Sequence, residues 1–211
     1  MSSTALPQGF TLVQADAVVP QAWRNGGGQT RELLAWPEGQ DWKLRISRAD
    51  IAADGPFSAF AGIDRWFTVL EGAGVALHFS ALHSAGTPAK TVTLRLGDAP
   101  LYFDGALAPG CSLLNGATQD LNLMARAGRS TMQRVETNAP WSPSFAVNGI
   151  YTATAGVFKG CDSDSLAMEL PAHSLLYCTA PSTSPRTSPW AFTPDTKDSR
   201  AFWLGYTPDT P

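Results

Sequence analysis

Charged residues are scarce in this chain: 15 lysines and arginines and 18 aspartates and glutamates make up only 16 % of its 211 residues. No basic run occurs, and the formal net charge is −3. A protein that binds nucleic acid normally presents clustered lysines and arginines to the phosphates. We therefore expect no nucleic-acid partner, while a hydrophobic content of 44 % favours a folded globular protein.

Long apolar runs are missing as well, and no stretch reaches the roughly 18 consecutive apolar residues of a membrane-spanning helix. Met1 to Phe10 lack the basic region and the apolar core of a secretory signal. We therefore expect no association with a membrane and a cytoplasmic location.

Histidine and cysteine occur only three times each. The cysteines are far apart and form no CxxC pair, so neither a zinc clip nor a disulfide framework is expected. The histidines form no HxH or HExxH motif, whereas a metal site in a barrel usually needs clustered histidines with a carboxylate. We expect neither a metal nor another cofactor. The residues concerned are Cys111, Cys161, Cys178, His78, His83 and His173.

The motifs of common enzyme families are also absent, since no GxSxG, GxxxxGK(S/T) or GxGxxG sequence occurs. Gly26–Gly28 could mimic a phosphate loop, but no Lys-Ser/Thr pair follows it and no helical pattern begins after it. We interpret this triple glycine as a mobile or tightly turned backbone. No catalytic residue can be assigned from a motif.

Short runs with alternating apolar and polar residues are what the chain does contain, and helical periodicity is not sustained over three turns. In 41–48, Trp42, Leu44 and Ile46 share one face and Lys43, Arg45 and Ser47 the other. Turn signals such as Asn115-Gly116 separate such runs. The pattern predicts an all-β sandwich or barrel. Further candidate strands are 65–70, 75–79, 90–96, 100–103, 121–126, 132–137, 151–159, 166–170, 174–179 and 200–206.

A weak internal repeat aligns Thr93–Phe103 with Ala167–Tyr177 and matches four apolar positions. Strand, tight turn and strand is a common order in all-β proteins, so duplication and coincidence both stay open. Pro181–Lys197, rich in Pro, Ser and Thr, is interpreted as an irregular surface loop.

Polar side chains concentrate in Trp23–Glu32, where two guanidinium groups, two amides, a hydroxyl and a carboxylate accompany the glycines. Such a mixture can hold a small carboxylate through charge-assisted hydrogen bonds. The alternative is an exposed polar loop in which Arg31 and Glu32 pair with neighbours.

Arg45 is a second candidate, because alternate residues of a barrel strand point inward. An inward arginine needs an anionic ligand or a carboxylate partner, for which Glu32, Asp64 and Asp104 are candidates. Alternation alone leaves open the opposite orientation, with Leu44 and Ile46 in the core and Arg45 in water.

Three further segments can form the rim of such a barrel. In Asp54–Arg65, Phe57 and Phe60 can anchor a loop, and the segment ends on a charged pair that enters a strand. Asp104 and Asp120–Asn122 flank the next edge.

Taken together, these segments resemble the HutD/Ves family of the cupin superfamily. The residues that carry the resemblance are Trp23–Glu32, Trp42–Ser47, Asp54–Arg65, Leu70–Gly72, Phe103–Gly105 and Asp120–Met124, and the match covers about Gly9 to Arg126. The resemblance implies an all-β fold of cupin-like double-stranded β-helix barrels, two in tandem, at 9–110 and 111–211. This boundary is approximate, and strands can be exchanged across it.

The resemblance also implies a role in histidine utilisation without metal-binding histidines. We expect a metal-independent protein that binds a small polar or carboxylate metabolite, such as urocanate, formylglutamate or formate. Arg24 stands where many relatives have Lys. The residues expected to contact the ligand are Asn25, Thr30, Glu32, Arg45, Ser47, Phe57, Ser58, Asp64, Arg65, Asp104 and Asn122.

Two alternatives remain. One is a metal-free isomerase or hydrolase acting on a small acid, with Glu32 or Asp104 as general base and Arg45 stabilising negative charge. The other is a β protein that binds a macromolecular partner through tryptophans, and a homodimer is also left open. The tryptophans in question are Trp36, Trp66, Trp190 and Trp203.

Overall fold

The computed structural model describes residue 6 and residues 9–80, 89–136, 139–160, 166–179 and 189–209. His83, Cys161 and residues 181–188 of the proline-rich segment lie outside this part of the chain. The two helices in the described part, Ala15–Ala17 and Gly105–Leu107, are three-residue 3-10 turns, and neither is long enough to cross a membrane.

The rest of the regular structure is β-strand, as the alternating pattern predicts. In chain order the strands are β1 (Phe10–Gln14), β2 (Gln21–Ala22), β3 (Gly28–Trp36), β4 (Leu44–Ile51), β5 (Gly55–Pro56), β6 (Ile63–Glu71), β7 (Val75–Phe79), β8 (Lys90–Leu94), β9 (Leu101–Asp104), β10 (Gly110–Leu113), β11 (Thr118–Arg126), β12 (Gly128–Arg134), β13 (Val147–Thr152), β14 (Gly156–Gly160), β15 (Leu166–Leu170), β16 (Ser174–Thr179), β17 (Trp190–Pro194) and β18 (Ala201–Pro208). The fold is all-β and cupin-like.

The strands divide between two compact units. The central unit is Val19–Ala127, and the terminal unit consists of the described residues of Met1–Val18 and Gly128–Pro211. The expected boundary at 110/111 falls inside the central unit, because β10 pairs with β7 and β11 pairs with β4 and β6. Likewise β1 pairs with β16, which ties the N-terminal strand to the terminal unit.

The central unit contains a six-stranded antiparallel sheet in the order β2-β3-β4-β11-β6-β9 and a four-stranded sheet in the order β5-β10-β7-β8. The turn between β6 and β7 carries the chain from one sheet to the other. Gly72 and Gly74 both have positive φ in this turn, +92° and +110°. Glycine is favoured there because a Cβ strains that conformation, and at Gly74 it would also overlap the Leu94 carbonyl oxygen.

The terminal unit repeats this strand order with fewer strands. Its sheets run β1-β16-β13-β18-β12 and β15-β14-β17. The order β9-β6-β11-β4 in one unit therefore corresponds to β16-β13-β18-β12 in the other, and β8-β7-β10 corresponds to β15-β14-β17. The two segments aligned by the sequence repeat run from the end of β8 into β9 and from β15 into β16, and these strands occupy the same places in the two orders.

The interior of the terminal unit is filled by aromatic rings. Trp141 stacks on Trp203 with ring centroids 5.3 Å apart, and Trp190 packs against both. Phe158 meets Trp190 edge to face at 5.3 Å. Trp190 and Trp203 are thus buried core residues and cannot form the exposed interaction surface considered as an alternative.

Two of the segments interpreted from the sequence are organised differently in the structure. Trp190–Pro194 is strand β17 and not part of an irregular loop, because Trp190 and Phe192 alternate into the core in spite of the flanking prolines. The single strand expected at 151–159 is two strands, β13 and β14, separated at residues 153–155.

Candidate functional site

A cavity of about 770 Å³ lies in the central unit and is lined by residues of β2, β3, β4, β5, β6 and β11 and of the loops that follow β2 and β5. Its lining includes eight of the eleven residues expected to contact a ligand. These eight are Asn25, Thr30, Arg45, Ser47, Phe57, Ser58, Arg65 and Asn122. The sequence segments that suggested a binding site are therefore brought together in one place.

The orientation of β4, which alternation could not decide, is clear in the structure. Arg45 and Ser47 point into the cavity, followed by Ala49 and Ile51 on the same face. Leu44 and Ile46 lie on the opposite face, where each is only 1 % exposed. Both faces of β4 are therefore covered: the face with Leu44 and Ile46 by the core, and the face with Arg45 and Ser47 by the walls of the cavity.

Arg45 is oriented by Glu32 from the neighbouring strand. The Arg45 Nε donates a hydrogen bond of 2.6 Å to Glu32 Oε2. Glu32 precedes a bulge in the β3–β4 pairing and does not line the cavity. Its carboxylate balances the charge of Arg45, so Glu32 acts on the site through Arg45 and not by touching the cavity.

Arg65 carries the second guanidinium of the cavity and is only 6 % exposed. Its Nη2 donates a hydrogen bond of 2.8 Å to Asn122 Oδ1, and its Nε has no hydrogen-bond partner. Within the described part of the chain, no carboxylate forms an ion pair with it. Burial, and to a lesser extent the charge of Arg45, lowers the pKa of Arg65 to about 10, so the group remains a cation at neutral pH.

Asp64 and Asp104 do not reach the cavity, contrary to expectation. Asp64 precedes Arg65 on β6 and points to the other face of the sheet, where it accepts a hydrogen bond of 2.8 Å from the Tyr102 hydroxyl. This bond raises the pKa of Tyr102. Asp104 accepts a hydrogen bond from the Ala106 amide and caps the 3-10 turn that follows it. Because successive side chains of a strand point to opposite faces, each carboxylate lies on the face that points away from the cavity.

The glycine-rich segment at the cavity wall is tightly turned. The Trp23 amide donates to the Gly28 carbonyl oxygen, and the Gly26 amide donates to the Trp23 carbonyl oxygen. The Trp23 indole Nε1 donates a hydrogen bond of 2.7 Å to Thr30 Oγ1, and Asn25 Oδ1 accepts from the Gly27 amide at 3.0 Å. These bonds hold Trp23 and Asn25 in the lining.

Gly28→Ala is expected to destabilise the protein by about 1–3 kcal/mol, the usual cost of inserting a methyl group into filled space. A Cβ at Gly28 would overlap the Asp50 carbonyl oxygen and lie 3.2 Å from the Trp23 ring. Gly27→Ala is the matched control, since a Cβ there lies 3.4 Å or more from its nearest neighbours. Chemical denaturation measures both variants, and equal stabilities would contradict this account of the turn.

The lining also contains residues that the sequence analysis did not select. Ala49 and Ile51 follow Ser47 at alternate positions, Phe67 follows Arg65, and Met124 follows Asn122. Extending the alternation by one or two steps along each strand would have found them. They add apolar walls to a cavity for which the sequence had suggested mainly polar groups, together with Phe57 and Phe60.

His78 lies outside the cavity, on β7. Its Nδ1 and Nε2 lie 3.1 Å from Thr91 Oγ1 and Ser112 Oγ, respectively. Among the residues that the structure describes, no group of three or more His, Cys, Asp or Glu side chains is arranged to hold a metal ion.

Asp120 is the other unusual ionisable group of the central unit. It is fully buried and shares the inward face of β11 with Asn122 and Met124. Its Oδ2 accepts a hydrogen bond of 2.7 Å from the Thr118 hydroxyl, while its Oδ1 has no partner. Burial raises the pKa of Asp120 to about 8, the Thr118 bond opposes this rise, and the charge of Asp50 adds to it.

Comparison of sequences identifies relatives in bacteria. A family model described as HutD matches residues 15–191. Protein Ves of Citrobacter koseri is 39 % identical over 109 residues, which are 51 % of this chain and 53 % of that protein. Protein Ves of Cronobacter sakazakii is 31 % identical over 138 residues, 65 % of this chain and 72 % of that protein. The chain thus spans about half the length of the first of these relatives.

A third relative is described as an uncharacterized 21.2 kDa protein in the hutC 3′ region of Pseudomonas putida. It is 38 % identical over 117 residues, which are 54 % of this chain and 56 % of that protein.

Solved structures give the same fold. HutD from Pseudomonas fluorescens SBW25, in a formate condition, has a TM-score of 0.76 at 23 % identity, over 95 % of this chain and all of that one. A deletion mutant of oxalate decarboxylase from Bacillus subtilis has a TM-score of 0.61 at 9 % identity, over 94 % of this chain and 77 % of that one. At such low identity the likeness concerns the fold alone.

Proposed function

Because the chain belongs to the HutD family, we propose that it is a cytoplasmic, metal-independent protein that binds a small carboxylate metabolite and regulates histidine utilisation. The relative from the hutC 3′ region of Pseudomonas putida supports the link to this pathway. The ligand class rests on the chemistry of the cavity in the central unit.

The observation that carries the proposal is the uncompensated charge of Arg65. A buried cation is costly unless an anion pairs with it. Arg45 has such a partner in Glu32, whereas Arg65 has only the neutral amide of Asn122 and an Nε without a hydrogen-bond partner. A ligand carboxylate would supply both the missing charge and an acceptor for the guanidinium.

The rest of the cavity suits a small organic acid. A volume of about 770 Å³ is within the usual range for metabolite sites and leaves room for ordered water. Trp23, Phe60 and Met124 provide apolar surface for the body of such a ligand. Thr30 and Ser47 provide hydroxyl groups for a second polar end.

The cavity favours binding over catalysis because of the residue types that line it. Its described lining contains three arginines, amides, hydroxyls and apolar groups, but no Asp, Glu, His, Cys or Lys. General acid–base catalysis normally needs such a group near the reacting atoms. Glu32 is bonded to Arg45 and Asp104 caps a turn, so no observation favours either as a base.

A thermal-shift screen with urocanate, N-formylglutamate and formate tests the proposal, with divalent metal ions in a parallel arm. A ligand present at 100 times its dissociation constant stabilises the folded state by about 2.7 kcal/mol. For a chain of this size that free energy raises Tm by about 5–10 °C. We expect at least one acid, and no metal alone, to produce such a shift.

Arg45→Ala is a useful variant in this screen. It removes a positive charge from the cavity and leaves the half-exposed Glu32 carboxylate unpaired beside it, where this carboxylate repels an acid. We therefore expect the acid to produce no thermal shift in this variant, while the protein stays folded. Absence of any shift with all three acids would overturn the proposed ligand class. Stabilisation by a metal alone would overturn metal independence.

A further inference from the structure

The Arg65 guanidinium is surrounded by aromatic rings. Its Cζ lies over the ring of Phe57 at 4.8 Å from the centroid, over Phe103 at 5.2 Å and over Phe60 at 6.0 Å. Phe57 and Phe60 line the cavity. Phe103 does not line the cavity, and it is a buried member of the hydrophobic core of the central unit.

We infer that Phe103 is a positioning residue, which holds the Arg65 guanidinium from behind the cavity wall so that its N–H edge faces an anionic ligand. The inference rests on the proposed function, since it assigns a role in carboxylate binding to a residue that the ligand does not touch. We call the three rings around Arg65, those of Phe57, Phe60 and Phe103, the aromatic cage.

Strand register fixes the place of Phe103. It lies directly opposite Arg65 in the antiparallel pair of β6 and β9, and side chains at such positions have Cβ atoms about 4.5–5.5 Å apart. On its other side, Phe103 meets the ring of Phe79 edge to face at 5.4 Å. The backbone pairing and this ring contact hold Phe103 against the guanidinium.

The chemistry of the cage explains why a carboxylate would serve less well at this position. A cation over an aromatic face is stabilised by about 0.5–2 kcal/mol, with larger values when both groups are removed from water. The ring face accepts the positive charge without accepting in-plane hydrogen bonds from the N–H groups. A carboxylate would occupy those N–H groups and compete with the ligand. The cage therefore offsets part of the burial cost and leaves the hydrogen-bonding edge of Arg65 open.

A population argument gives the direction of the effect on affinity. The ligand binds the caged position of Arg65, so its apparent dissociation constant is the intrinsic value divided by the fraction of protein in that position. When the cage weakens, the unliganded guanidinium can turn away into the cavity, and that fraction falls. A residue with only a packing role would change stability without this effect on affinity.

Fluorinated phenylalanines at position 103 test the inference, because they weaken the negative ring face while keeping the shape of the side chain. We expect the dissociation constant for urocanate to rise stepwise from phenylalanine to 4-fluoro-, 3,5-difluoro- and 3,4,5-trifluorophenylalanine, by about three- to tenfold in total. The same series at Phe79, which touches Phe103 but is not one of the rings around Arg65, is the matched control and should change affinity less than twofold.

The Nε–Hε resonance of Arg65 in ligand-free protein, assigned by its loss in Arg65→Met, is a second readout. Fluorination at position 103 should shift this resonance, and fluorination at position 79 should leave it in place. If wild-type protein does not bind urocanate, the proposed function fails for that acid, and the resonance still reports on the cage. An Arg65 resonance that does not respond to fluorination at position 103, or an affinity series that is flat there, overturns the positioning role.

Discussion

Replacing Arg65 with methionine is expected to raise the dissociation constant for a carboxylate ligand by about 30-fold or more, since loss of one partner of a buried, charged hydrogen bond costs about 2–5 kcal/mol. Methionine is shorter but similar in volume, and its thioether packs well against aromatic rings such as those of Phe57 and Phe103. The fold should therefore survive. Replacing a buried charge by an apolar group of similar size is often close to neutral for stability, although the buried Asn122 oxygen loses its donor.

Isothermal titration calorimetry with the acid that gives the largest thermal shift measures this loss, and circular dichroism verifies the fold. Arg65→Lys should bind with intermediate affinity, because it keeps the charge but not the planar fork of donors. Affinity of the wild type should fall as pH rises through the Arg65 pKa of about 10, because the neutral guanidine no longer attracts an anion. If Arg65→Met bound the acid with an affinity within threefold of the wild type, Arg65 would not be the residue that binds the carboxylate, and the anion would bind elsewhere in the cavity.

The fold was predictable because most strands of this protein alternate clearly and end at recognisable turns. β3 was the main omission, since it begins at Gly28 and carries Gln29, Arg31 and Glu32, which resemble an exposed loop. In the structure those polar residues are half-buried, and the Arg31 Nη1 forms an ion pair with Asp50 Oδ2 at 2.5 Å. Paired charges make a strand look like a loop when only the sequence is read.

β17 shows a second limit of sequence patterns. Its five residues lie in a proline-, serine- and threonine-rich segment, and only Trp190 and Phe192 mark the buried face. Pairing with β14 satisfies its backbone, and the aromatic core of the terminal unit covers the two rings. Composition suggested a loop there, while contacts with residues far away in the chain make a strand.

The binding site was predictable in its residue types and less so in its geometry. Arg45, Ser47 and Arg65 stand out as polar groups on apolar strands, and the structure brings them to one cavity. Asp64 and Asp104 stand out equally but point away, because side chains alternate across the sheet. Alternation along a strand shows which residues share a face, but it does not show which face borders the cavity. For β4 the sequence pattern offered no further guide, since both of its faces are covered and neither is purely polar.

Asp120 was recognised only as a residue near a barrel edge, and it leads to the second large prediction. Its carboxyl group is fully buried, with one oxygen bonded to Thr118 and the other without a partner. Burial raises its pKa to about 8 in the folded protein, whereas a carboxyl group in an unfolded chain has a pKa of about 3.9. Between these two values, the folded state holds a proton that the unfolded state has released.

Asp120 should therefore favour folding most strongly below about pH 4, and this contribution is lost progressively as pH rises towards 8. Asp120→Asn keeps the shape and an acceptor for Thr118 without an ionisable group. Its stability should match the wild type within about 1 kcal/mol at pH 5 and exceed it by about 4 kcal/mol at pH 8.5, because the free energy of unfolding changes by about 1.36 kcal/mol per pH unit between the two pKa values. This difference corresponds to a Tm higher by roughly 8–16 °C. Asp104→Asn, an exposed change that keeps a capping oxygen for Ala106, is the control.

Urea denaturation of the three proteins at half-unit steps from pH 4.5 to 9 isolates the effect, because other titrating groups cancel in the difference between wild type and variant. The free energy of unfolding of the wild type should fall relative to Asp120→Asn as pH rises, and the curve of Asp104→Asn should stay parallel to the wild type. Parallel curves for all three proteins would mean that Asp120 is ionised in the folded state, with a hydrogen-bond donor to the oxygen that has no partner here.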